Sequence, residues 1–122
     1  MMDQALIFVM LALVITKLAD VMTTYCRLAS VHQEANPIAQ FAMRRFGVAG
    51  TCLMVMALSV VIVLLSSQAA VGCGLVGQVF FIVVGFVISG IQLAVAHSNA
   101  TGHQNCVTRP LLAMFRIVSA RL

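Results

Sequence analysis

A lysine and an aspartate lie in the first apolar stretch of the chain, and they constrain its fold more than any other feature. Residues 5–16 are almost entirely apolar, but a membrane-spanning helix needs about 20 residues. Such a helix must therefore continue through Lys17 and Asp20 to about Cys26. An ionised side chain near the centre of a bilayer costs about 2.5–3.5 kcal/mol on insertion scales. We therefore expect both charges to face protein or a wet cavity instead of lipid.

The polar residues of this first helix follow one side of it. At about 100° per residue they fall within an arc of roughly 120°, and they are Thr16, Lys17, Asp20, Thr23, Thr24 and Arg27. Lys17 and Asp20 have the i,i+3 spacing at which opposite charges neutralise each other. Two interpretations remain open. The stripe is either a proton, ion or ligand site inside a small bundle, or an ion pair with hydroxyl neighbours that fixes how the helix packs.

Composition places the chain in the class of integral membrane proteins. Apolar residues make up 62% of its 122 residues and charged residues 8%, and the mean hydropathy is +1.11. These values lie outside the range of soluble domains. We predict an all-α integral membrane fold in a single domain, residues 1–122, with three transmembrane helices at about residues 5–26, 47–66 and 75–96. The basic residues flank these spans and act as topology signals. We therefore predict that the chain lies in the lipid bilayer and that it does not bind nucleic acid.

The connection between the first two spans contains a helix start. Asn36 is a favoured N-cap residue, and Pro37 suits the first helical position. We predict a short interfacial helix over residues 37–46, which ends with the basic pair Arg44 and Arg45. A turn over residues 67–74 then joins the second span to the third.

Small and polar residues line one face of the third span. At helical spacing this face lies within about 60°, and it contains Gln78, Gly85, Ser89, Gln92 and Ala96. Gly85 and Ser89 form a small-xxx-small pair, which lets two helix backbones approach closely. We expect this face to meet the polar stripe of the first helix. The tail, residues 97–122, ends in a basic amphipathic segment whose Leu112, Phe115 and Val118 sides would lie on the membrane surface.

The distribution of arginines predicts the orientation. Arginines occur in the first connection and in the tail, but not at the amino terminus or in the second connection. The positive-inside rule then places the amino terminus outside and the carboxyl terminus in the cytoplasm of a bacterial inner membrane. The predicted intramembrane polar cluster consists of Lys17, Asp20, Thr23, Thr24, Glu34, Asn36, Pro37, Gln92, His97 and Asn99.

Glu34 has two possible roles. It precedes the helix that begins at Pro37 and could stabilise the positive end of that helix dipole, or it could reach the Asp20 stripe together with His32. Three side chains are candidate metal ligands, namely His32, Glu34 and His97. Their spacing contains no H-E-x-x-H or comparable ligand pattern. We therefore predict no metal site and no cofactor.

These motifs resemble a known family. The order of Asp20, Thr23-Thr24 and Glu34-Ala35-Asn36-Pro37, then an uncharged span and a third span ending in His97-Ser98-Asn99, is similar to that of a prokaryotic family of short three-span membrane proteins catalogued as a domain of unknown function. The resemblance covers about residues 5–99, and its signature is Asp…Thr-Thr…Glu-x-Asn-Pro. It implies a three-span fold and supplies no activity.

The sequence contains no nucleophile–base pair, so we predict that the protein is not an enzyme. We predict a small multi-pass inner-membrane protein that acts as an accessory or interaction subunit, within a larger membrane complex or a homo-oligomer. Two alternatives remain. One is a holin-like pore-former, which the three spans and the basic tail resemble, and the other is a small oligomeric transporter or ion-binding protein that uses Asp20 and Glu34.

Overall fold

The structure, a computed structural model, describes residues 2–28, 36–102 and 105–121. These residues form four helices and no strand: α1 (Met2–Arg27), α2 (Pro37–Gly72), α3 (Gly74–Thr101) and α4 (Thr108–Arg121). The first three helices are long and apolar enough to cross a membrane, with mean hydropathies of 2.3, 2.7 and 2.5 in their most apolar windows. The prediction of an all-α fold with three helices able to span a membrane is therefore confirmed for the described residues.

Helices α1 and α3 pack against each other along most of their lengths. Thr16 pairs with Gln92 and Thr24 with Asn99, separations of 76 and 75 residues, so the two helices run parallel and in constant register. Their closest approach is at Gly85, where an added Cβ atom would collide with Val9. Gly85, Ser89 and Ala96 are buried, which confirms the predicted contact face of α3 at these positions.

The remainder of the core lies near the α2–α3 turn. Leu6, Val9 and Leu13 of α1 contact Ala70 of α2 and Phe81 of α3 in one apolar cluster. Helix α2 runs antiparallel to the other two because it connects their opposite ends. The apolar core therefore lies at this end of the bundle, and the polar residues lie at the other end.

Helix α2 begins where the sequence predicts a helix start. The backbone N–H of Ile38 donates to Asn36 Oδ1 at 3.0 Å, and Pro37 occupies the first turn. The helix then breaks at Gly47, which has φ 78° and ψ 167°. This backbone conformation is essentially restricted to glycine. Residues 37–46, the segment predicted to be interfacial, therefore precede a bend and continue into the membrane-spanning part without a loop.

The turn predicted over residues 67–74 is wrong in its length. Helix α2 continues to Gly72, and only Cys73 separates it from α3. Ser67 lies inside the helix, where its hydroxyl donates to the carbonyl oxygen of Leu64 at 2.8 Å. The reversal of the chain instead depends on Gly74, whose φ is 72°.

Helix α4 is capped by a reciprocal pair of side chains. The backbone N–H groups of Val107 and Thr108 donate to Asn105 Oδ1, and the N–H of Asn105 donates to Thr108 Oγ1 at 2.9 Å. Asn105 Nδ2 also donates to the carbonyl oxygen of Ala94 at 2.7 Å, which ties α4 to α3. The cap thus fixes where α4 begins relative to α3.

The apolar side of α4 is divided between the bundle and its surroundings. Leu112 and Phe115 are half-buried and line a cavity of the bundle, whereas Val118 is exposed. Leu112 and Phe115 therefore face the bundle in part, and the location of this side of α4 on the membrane surface stays a prediction. They cover the polar end of the bundle because the Asn105 cap turns α4 back across it.

Candidate functional site

A cavity of about 310 Å³ lies where α1, the first part of α2, the end of α3 and α4 meet. We call it the polar cavity. Its apolar walls include Met43, Val55 and Phe115. Its charged and polar lining consists of Lys17, Asp20, Thr24, Arg27, Asn36, Thr51, Cys52, Ser98, Asn99 and Thr108.

Lys17 and Asp20 form an ion pair on the wall of this cavity. Lys17 Nζ donates to Asp20 Oδ2 at 2.9 Å, and the side chains are 23% and 16% exposed. Mutual neutralisation, which their spacing predicts, is therefore present. The pair lowers the cost of two charges within an apolar bundle, because each charge has an opposite charge in direct contact.

The hydroxyl groups of the stripe connect α1 to α3. Thr16 Oγ1 lies 2.6 Å from Gln92 Oε1 and 2.7 Å from the carbonyl oxygen of Ala12, and its single proton can serve one of them at a time. Asn99 Nδ2 donates to Thr24 Oγ1 at 2.9 Å. The stripe therefore has two parts: its hydroxyls hold two helices together, while Lys17 and Asp20 face a cavity.

The remaining threonine of the predicted cluster is satisfied within its own helix. Thr23 Oγ1 donates to the carbonyl oxygen of Ala19 at 2.8 Å, and Asn99 Nδ2 lies 3.5 Å from Thr23 Oγ1. Thr23 therefore contributes little to the polar cavity, although it belongs to the same face of α1.

The other predicted site residues are placed in different ways. Asn36 lines the polar cavity, while Pro37 occupies the first turn of α2 and is not part of the lining. His97 is exposed, although its neighbours Ser98 and Asn99 line the cavity. One residue turns a helix by about 100°, which carries His97 off the face shared by Gln92, Ala96 and Asn99. His32 and Glu34 lie outside the described residues.

Thr51 is a site residue that the sequence analysis missed. Its side chain lines the polar cavity, the residue is 1% exposed, and Oγ1 has no hydrogen-bond partner among the described residues. A buried hydroxyl without a partner costs about 1–3 kcal/mol. The only signal in the sequence is that Thr51 interrupts an otherwise apolar stretch of α2.

A second cavity, of about 580 Å³, lies between α2 and α3 with α1 at its floor. We call it the groove. Its lining is mostly apolar or small, as at Phe80, Val84 and Ala69, and it ends at Lys17 and Gln92. Lys17 is the one described residue that lines both the groove and the polar cavity.

The described residues contain no group of three His, Cys, Asp or Glu side chains that could hold a metal ion. Two of the three metal candidates, His32 and Glu34, belong to the part of the chain that the structure does not describe. The absence of a metal site therefore stays a prediction.

These features define a multi-pass α-helical membrane protein, whose three apolar helices contain a partly buried ion pair. The chain belongs to the family described as a domain of unknown function, DUF5658, whose model matches residues 11–99. The expected membership in a family of unknown function is thereby confirmed, while the prokaryotic origin and the signature stay predictions. No curated protein and no solved structure matches the chain.

Proposed function

We propose that this chain is a non-enzymatic membrane protein that binds a small polar ligand in the polar cavity. The observation that supports this proposal best is the Thr51 hydroxyl, which is buried, lines the cavity and has no partner among the described residues. Polar groups buried in native structures are nearly always hydrogen-bonded. A ligand in the cavity would supply the missing bond.

The size and charge of the cavity limit the ligand. A volume of about 310 Å³ is at the lower end of small-molecule sites, which span roughly 300–1,000 Å³. Asp20 binds Lys17 through Oδ2, so a ligand can contact the carboxylate without displacing the lysine. We therefore expect a molecule or ion that is smaller than a lipid and that bonds to Thr51 and Asp20 together.

The experiment compares Thr51→Val with Ser89→Ala. Ser89 Oγ is the other buried hydroxyl that lacks a partner among the described residues, and Ser89 is not part of the lining of either cavity. Both substitutions remove an unsatisfied hydroxyl, so each should raise the free energy of unfolding of the ligand-free protein by about 1 kcal/mol. Only Thr51→Val should remove a bound ligand.

Native mass spectrometry of the protein, extracted from its own membrane in mild detergent, measures this difference. We expect a defined mass shift in the wild type and in Ser89→Ala, and its loss in Thr51→Val. Retention of the bound mass in Thr51→Val would contradict a ligand that bonds to this hydroxyl.

The predicted orientation and interfacial segment are part of the same proposal. Helix α2 has 36 residues, about 54 Å at 1.5 Å per residue, whereas a hydrocarbon core is about 30 Å thick. The break at Gly47 lets residues 37–46 lie in the interface with Arg44 and Arg45 among the lipid head groups. This placement supports a bacterial inner-membrane protein with its amino terminus outside and its carboxyl terminus in the cytoplasm.

An accessory or interaction subunit is the second candidate, and the exposure of α2 favours it. Only 11% of the most apolar window of α2 is buried within the chain, so lipid or another helix must cover the remainder. A partner helix would make the chain part of a larger complex or a homo-oligomer. Co-migration with a larger assembly in mild detergent would support this role, and clean monomers at native expression would contradict it.

The transporter and holin-like alternatives stay predictions from the sequence. An oligomeric transporter or ion-binding protein would use Asp20, which lines the polar cavity, together with Glu34, which lies outside the described residues. A pore-former would dissipate the membrane potential on induced expression. An intact potential would remove that alternative, and an unchanged transport phenotype in Asp20→Asn would remove the transporter.

A further inference from the structure

We propose that the groove binds an uncharged, single-chain lipophile whose head carries a carbonyl oxygen, and that Lys17 donates a hydrogen bond to that oxygen. The groove is a cavity of about 580 Å³ with mostly apolar walls and one charged end. Sites for lipophilic ligands have this form: apolar walls and a few polar groups that fix the orientation of the ligand.

The position of Lys17 along α1 limits the head of the ligand. Lys17 lies about 15 Å from Arg27 along the helix axis, at 1.5 Å per residue, which is half the thickness of a hydrocarbon core of about 30 Å. Charged groups are costly at this depth. A phospholipid keeps its head group at the interface, so it cannot place that group beside Lys17. The ligand must therefore have a head that can reside in the middle of the bilayer.

The charge balance at Lys17 also favours a ligand whose head is uncharged. Asp20 already neutralises Lys17, so a charged head would add a third, uncompensated charge. An ammonium group has three N–H donors, and one of them binds Asp20 Oδ2. The two other donors can bind an acceptor, and the amide of Gln92 lines the same end of the groove. An uncharged acceptor, such as a carbonyl oxygen, fits this set.

The groove provides room for a tail. Along α3 its lining extends from Gly77 to Gln92, about 22 Å of helix. On the α2 side, Ser66 and Ala69 are small and exposed, so they leave the groove open. A linear alkyl or isoprenoid tail would lie between the two helices with its head at Lys17.

A quinone that carries a decyl tail is the probe, and decylbenzene, which has the same tail and no carbonyl, is its control. Binding is measured for the full-length protein in lipid nanodiscs, as the ligand-induced rise in Tm over a concentration series. We expect decylbenzene to bind the wild type at least tenfold more weakly than the quinone. Equal affinity for the two probes would show that the groove recognises tails alone, and would overturn the proposal.

Two neighbouring substitutions test the place of binding. Ser66→Phe fills the groove, whereas Leu65→Phe adds a ring at an exposed position that does not line it. Quinone binding should weaken at least tenfold in Ser66→Phe and stay within twofold of the wild type in Leu65→Phe. An unchanged affinity in Ser66→Phe would overturn the proposal.

The role of Lys17 is tested in a double variant, because removal of one charge alone would leave the other unpaired. Lys17→Met with Asp20→Leu replaces the pair by apolar side chains, a change that is often tolerated. We expect its affinity for the quinone to fall to that for decylbenzene; a retained preference for the quinone would contradict the contact with Lys17. If this variant does not fold, the two probes and the Ser66→Phe comparison decide the matter. Thr51→Val leaves the groove intact, so a failure of the polar-cavity proposal would not affect this test.

Discussion

At the scale of single residues, the contact between α1 and α3 depends on the absence of a side chain. The backbone of α3 approaches α1 at Gly85, where a Cβ atom would collide with a branched side chain, that of Val9. Interhelical packing in membranes relies on such close approaches, because burial of apolar surface gains little against lipid. The stability of the bundle therefore depends on the absence of a side chain at Gly85.

We predict that Gly85→Ala lowers the free energy of unfolding by about 1–3 kcal/mol, the cost of overpacking a tight contact. Gly90→Ala is the matched control, because it lies on the same helix and its added Cβ would meet no atom within 4 Å. Thermal unfolding in detergent measures both variants. Equal Tm values for the two would show that α1 and α3 do not need this close approach.

Local spacing predicted some of the site residues and missed others for a physical reason. The pairing of Lys17 with Asp20, and Asn36 as the cap of α2, follow from positions three residues apart or fewer. The burial of Thr51 depends on how α1, α2 and α4 meet, which no local pattern encodes. His97 was grouped with Asn99 because both were predicted to lie at the cytoplasmic end of the bundle, although the helical step separates their faces.

At the scale of elements, α2 is two segments joined at a glycine. Gly47 has a backbone conformation that other residues adopt only at a cost of about 1–3 kcal/mol. An added Cβ there would meet no atom within 4 Å, so the cost would come from the backbone alone. The bend of α2 therefore depends on a single residue, Gly47.

We expect Gly47→Ala to destabilise the protein by about 1–3 kcal/mol or to straighten α2. Gly50→Ala is the control, because its Cβ would make only an ordinary contact of 3.5 Å with Phe46. Denaturant unfolding gives the free energies, and spin-label distances between the two segments of α2 report the bend. A Gly47→Ala protein with wild-type stability and an unchanged bend would contradict this role of Gly47.

The number and order of the membrane-spanning helices could be predicted from the sequence because apolar runs of this length have few alternatives. The boundaries were less predictable. The turn was predicted to begin at residue 67, yet Ser67 lies inside α2 and bonds to its own helix. The covering of the polar cavity by α4 depends on the hydrogen bond from Asn105 to Ala94, between residues of different elements.

At the scale of the whole molecule, two native cysteines report the orientation. Cys73 lies in the α2–α3 turn and Cys106 precedes α4, so α3 separates them, and both are exposed. With the amino terminus outside, a membrane-impermeant maleimide should label Cys73 in intact cells. Cys106 should react only after the membrane is opened.

Variants that retain one of these two cysteines, with the other three cysteines replaced by serine, make the comparison. Labelling of detergent-solubilised protein is the control, because both thiols are then accessible. Labelling of Cys106 and protection of Cys73 in intact cells would reverse the proposed topology and place the arginine-rich segments outside.

The ion pair also lies at the division between two compartments of the bundle. The polar cavity extends from Lys17 toward Arg27, and the groove extends from Lys17 toward Cys73 at the opposite end of the bundle. Lys17 is the one described residue that borders both cavities, so its side chain lies between the polar lining of one and the mostly apolar lining of the other. The ion pair that neutralises two charges therefore also marks the boundary between a polar and an apolar compartment of one bundle.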